Sequence, residues 1–107
     1  MSPRTELIRS IRRAITELKT RRMDPTTTPD ERGQLTAQIA DLEAQLAQLT
    51  ADQIAAASSD AALQGPDQAT FETMRSTARE LDGAVAESRA TSAIIALVNT
   101  GLTALGA

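Results

Sequence analysis

The chain has no cysteine and no histidine. Their absence excludes a disulfide framework, thiolate chemistry, an imidazole base and an ordinary zinc site. Tryptophan and tyrosine are also missing, and Phe71 is the only aromatic residue. Aromatic side chains bury the most area per residue, so a core made of Leu, Ile and Ala must be thin. With 107 residues the sequence fits one domain, residues 1–107, whose burial is marginal without help. No long apolar run is present. The longest uncharged stretch, 90–107, is interrupted by Thr91, Ser92, Asn99, Thr100 and Thr103. Its apolar part is shorter than the roughly 20 residues a spanning helix needs. Met1-Ser2-Pro3-Arg4 leads into a charged amphipathic segment rather than a signal-peptide core, so a cytoplasmic protein is expected. There is no glycine-rich phosphate loop, and neighbouring carboxylates such as Asp41 and Glu43 point in different directions on a helix. No catalytic residue, metal ligand or cofactor site is predicted, and the chain is expected not to be an enzyme.

What is abundant favours helix: Ala, Gln, Leu, Glu and Arg are frequent, and Thr supplies most of the β-branched side chains. A first helix is predicted over about 3–22, opened by Ser2 and Pro3. Leu7, Ile8, Ile11, Ala14, Ile15 and Leu18 share one face, with Arg9, Arg12, Arg13 and Lys19 opposite. Asp24-Pro25 stops it, because a residue before proline is pushed out of the α region. Thr28-Pro29-Asp30-Glu31 carries the pattern of a capping box and opens a second helix over about 29–57. So short a link predicts an antiparallel hairpin. Leu35, Ile39, Leu42, Leu46 and Leu49 follow a 4-3-4-3 spacing, a coiled-coil-like seam. Ala37, Ala40, Ala44, Ala47, Ala51 and Ala55 form a second stripe. Gly65-Pro66 is the next stop, with Asp67 as a cap, and a long third helix is predicted over about 67–105. Its seam through Phe71, Met74, Ala78, Leu81 and Val85 gives way to Ser88, Ser92 and Asn99 on the same line. From Ala93 onward the apolar residues lie more than a quarter-turn away.

The expected fold is all-α: an antiparallel helical hairpin plus a long C-terminal helix, a coiled-coil-like three-helix bundle that is oligomeric. At about 1.5 Å per residue the third helix outruns the second, leaving an apolar overhang that needs a partner. Ile94, Ile95, Leu97, Val98, Leu102 and Leu105 are therefore the expected protein interface, toward further copies of the chain or a larger assembly. Function follows as that of a structural or adaptor protein. Charge supplies the alternative. Residues 1–22 carry a balance of +5, whereas the remainder carries −8. Arg9, Arg12, Arg13 and Lys19 are the candidate anion-binding residues, for a membrane surface or a nucleic acid.

Overall fold

Residues 2–57 and 68–106 are described by a computed structural model. They form four helices: α1 (Pro3–Arg22), α2 (Pro29–Ala57), α3 (Gln68–Ala86) and α4 (Thr91–Gly106). No strand occurs among the described residues, so the all-α class holds. The Gly65-Pro66 stop and the Asp67 cap lie outside them.

Local chemistry sets the helix ends. Ser2 caps α1 by accepting a hydrogen bond from the Thr5 backbone N–H at 3.2 Å, and Pro3 occupies the first position. The capping box of α2 is reciprocal. Thr28 Oγ1 accepts from the Glu31 N–H at 3.2 Å, and Glu31 Oε2 accepts from the Thr28 N–H at 3.4 Å. In the connector, Thr26 donates to Asp24 Oδ1 from its hydroxyl at 2.6 Å and its N–H at 2.8 Å. These two bonds favour the ionised carboxylate and hold it below its ordinary value of 3.8.

The predicted single C-terminal helix is two helices. α3 ends at Ala86 and α4 begins at Thr91. Between them Ser88 adopts φ 55°, the left-handed region. The Arg89 N–H reaches the Ala84 carbonyl at 2.9 Å and the Ser88 N–H reaches that of Val85 at 3.2 Å. This is the Schellman arrangement, which satisfies the last carbonyls of a helix and turns the chain away. Glycine usually fills the left-handed position. Here serine does, and the usual sign of a helix end is missing.

Because the chain turns, α4 folds back onto the protein. Ile94, Val98, Leu102 and Leu105 join Leu7, Ile11 and Leu18 of α1 in one core. The seam residues of α2 and α3 are there too: Leu35, Ile39, Leu42, Leu46, Met74 and Leu81 are buried, while Leu49, Phe71 and Val85 pack at its edge. α1 and α4 each pack against all three other helices, whereas among the described residues the backbones of α2 and α3 do not approach each other closely. The two central helices run antiparallel and are clipped at both ends by arginine. Arg4 Nη1 donates to the Leu105 carbonyl and Arg21 Nη1 to Thr91 Oγ1, each at 3.1 Å. Gly101 makes the crossing close, since a Cβ built there would sit 3.0 Å from Ile11 Cδ1 and 3.2 Å from Leu7 Cδ1. The expected overhang of the C-terminal helix is thus absent. α2, with 29 residues, is the longest helix.

Candidate functional site

Two grooves and one helix face leave α1 and its neighbours available for contact. The first groove, about 570 Å³, runs between α1 and α2. Ile15 and Leu46 line its apolar part, with Ala47 and Ala51 beside them. Its polar groups are largely engaged. Lys19 Nζ pairs with Glu43 Oε1 at 2.7 Å. Thr16 donates to the Arg12 carbonyl at 3.0 Å, and Thr50 donates to that of Leu46 at 2.8 Å. Arg12 lines this groove as well and makes no hydrogen bond or ion pair with a described residue through its side chain. Beyond the groove, Ala37, Ala40 and Ala44 of the alanine stripe face solvent, as do Ala47 and Ala51. The side chain of Ala55 lies outside the described set.

The second groove, about 370 Å³, lies between α1 and α3. α1 contributes Glu6, Arg9, Ser10 and Arg13, and α3 contributes Arg75, Ala78, Arg79 and Asp82. Residues four apart lie one above the other on a helix, so each helix presents a pair of arginines to the same hollow. Small residues, Ser10 and Ala78, are buried between the pairs and let the helices approach. Arg13 Nη1 binds Asp82 Oδ1 at 3.3 Å, with both side chains about half exposed. Such a pair contributes on the order of 0–1 kcal/mol.

The structure therefore divides the basic face expected on α1. Arg9 and Arg13 turn to the α3 side, while Arg12 and Lys19 turn to the α2 side. Arg75 and Arg79, which complete the arginine cluster, are not candidates from sequence. Their spacing to Glu72 and Asp82 suggests ordinary solvent-side pairs. Instead Glu72 accepts from Gln68 Nε2 at 3.4 Å, and Asp82 belongs to Arg13. The four-residue step repeated in both arginine pairs is the available signal. It becomes informative only once α1 and α3 are known to lie side by side.

The expected interface residues are split between interior and flank. Ile94 and Val98 are fully buried, Leu102 and Leu105 are 4% exposed, and Ile95 and Leu97 pack partly buried against the core. The first four are consumed by the protomer itself, because the turn at Ser88 lays them against α1. The outward side of α4 carries Ser92, Ala96, Asn99, Thr100 and Thr103. Thr100 and Thr103 donate their hydroxyls to the Ala96 and Asn99 carbonyls, both at 3.0 Å. That leaves the threonine methyl groups as the exposed part of those side chains.

Set against known protein families, curated proteins and solved structures, the chain matches none.

Function must then be read from surface chemistry alone. Among the described residues, no group of three or more carboxylates is placed to hold a metal ion. No helix of the described residues is long and apolar enough to cross a membrane.

Proposed function

We propose that this protein is a non-catalytic structural or adaptor module that self-associates, or docks in a larger assembly, through the outward face of α4. The observation that carries this reading is the composition of α4: sixteen residues without one charged side chain, so that even its exposed positions, Ser92, Ala96, Asn99, Thr100 and Thr103, are uncharged on a charged protein. Interfaces differ from ordinary surface mainly in the depletion of charge at their centres. The outer strip of Ser92, Ala96, Asn99 and Thr103 is small-chained, flanked by half-buried Ile95, and partly spent in its own backbone hydrogen bonds. A neighbouring helix can approach it without burying an ion. Asn99 supplies one amide that would pair with its counterpart across a two-fold interface and fix the register. The buried Ile94, Val98, Leu102 and Leu105 keep this strip rigid rather than forming the contact themselves.

The test is size-exclusion chromatography with light scattering over a range of concentrations. Refractive-index detection is needed, since the chain lacks Trp and Tyr. Wild type should run above monomer mass. Ala96→Glu combined with Asn99→Glu should run as monomer with an unchanged far-ultraviolet circular dichroism spectrum, because both positions are exposed. A wild-type monomer at every concentration would remove self-association through α4.

A further inference from the structure

The arginine groove between α1 and α3 is separate from the outward face of α4, and its chemistry points elsewhere. We propose that it is a binding site for a phosphomonoester, held by Arg9, Arg75 and Arg79 with the Ser10 hydroxyl beneath them. Three features converge on this ligand class.

The first is unspent charge. Arg13 is engaged by Asp82, but the side chains of Arg9, Arg75 and Arg79 form no ion pair or hydrogen bond with any described residue. Like charges gathered in one hollow repel, and an anion between them removes that cost. The second is Ser10. Its residue is only 5% exposed and lines the groove, yet its side chain makes no hydrogen bond to any described residue. No buried side-chain oxygen among the described residues lacks a partner, so the unbonded Ser10 hydroxyl is one that reaches the open space of the groove. Elsewhere in the protein, helix hydroxyls such as those of Thr16, Thr50 and Thr73 donate to the carbonyl four residues back. A ligand oxygen at the floor of the groove would accept from Ser10 instead.

The third is the balance of charge and shape. Four arginines against Glu6 and Asp82 leave the groove at +2. A phosphomonoester carries about −1.5 to −2 at neutral pH and offers three strong acceptor oxygens. A single carboxylate would neutralise only half of that excess. The forked guanidinium matches phosphate in bidentate geometry, and both helices contribute guanidiniums to the one groove. Glu6 and Asp82 also bear on what the site refuses. Both carboxylates line the groove, and they would repel a phosphodiester chain or an anionic bilayer laid along it.

The full-length protein, labelled with ¹⁵N, should be titrated with inorganic phosphate and with O-phosphoserine, chloride holding the ionic strength constant. The amides of Ser10 and Ala78 are the reporters. Saturable shifts are expected, and Arg9→Gln and Arg79→Gln should each weaken binding about tenfold, the scale of one charged hydrogen bond. Arg12→Gln, on the other groove, should leave it unchanged. Circular dichroism melts verify that the variants are folded. Absence of saturation at tens of millimolar ligand would overturn the assignment, as would equal weakening by Arg12→Gln. Duplex DNA and phosphatidylglycerol vesicles form the second arm. Tight binding of either that disappears with Arg79→Gln would show that the groove reads a polyanion, contrary to the proposal. No binding of either supports it.

Discussion

At the scale of single residues, two glycines inside helices show why the same amino acid carries opposite meanings. From sequence, Gly101 looks like a weak point in the last turns of a helix, since glycine is poorer than alanine there by about 1 kcal/mol. In the fold it is buried beneath Ile11 and Leu7, at a distance that leaves no room for a branched side chain. Gly101→Val should destabilise the protein by roughly 1–3 kcal/mol through overpacking. Gly83 in α3 has nothing within 4 Å of a built Cβ. Gly83→Ala should therefore raise stability by up to about 1 kcal/mol. Urea titrations followed by circular dichroism test the pair, with opposite movements of the midpoint expected and the slope conserved. Equal movements would mean that intrinsic helix propensity, not packing, sets both sites.

At the scale of elements, caps and seams were legible and the last helix was not. The Thr28–Glu31 box and the Ser2-Pro3 start occur as their spacing implies. The seam of α2 is buried from Leu35 to Leu46. Such features depend on residues a turn apart, which sequence displays directly. The break after Ala86 left a weaker trace. Its left-handed position is occupied by serine, so no glycine or proline announces it. What sequence did show was a jump in the apolar stripe after Val85, read as one helix with two faces. It was the register change between two helices. An L-residue in the left-handed region costs roughly 1–2 kcal/mol, a penalty glycine avoids. Ser88→Gly should thus stabilise the protein by about 0.5–1 kcal/mol, after allowance for glycine's greater freedom when unfolded. Thermal melts that show a fall on this change would indicate that the serine side chain contributes more than its backbone strain removes.

At the scale of the whole molecule, the arginine groove was out of reach of sequence because it depends on two residues 69 positions apart lying side by side. Arg9 and Arg13 were visible as a basic face. Arg75 and Arg79 gained meaning only from the neighbour they face. The same remoteness has a consequence in time. Leu7 and Ile11 are made some ninety residues ahead of Gly101, which covers them. Closing so long a loop costs entropy before any contact repays it, and helical proteins with such distant pairings fold more slowly than those with local ones. A chain ending at Ala57 should therefore melt gradually, without the sigmoidal transition of the complete protein. A cooperative melt from that fragment would mean that α1 and α2 form an autonomous hairpin. Until α4 leaves the ribosome, the nascent α1 carries an unshielded apolar face of the kind holdase chaperones occupy.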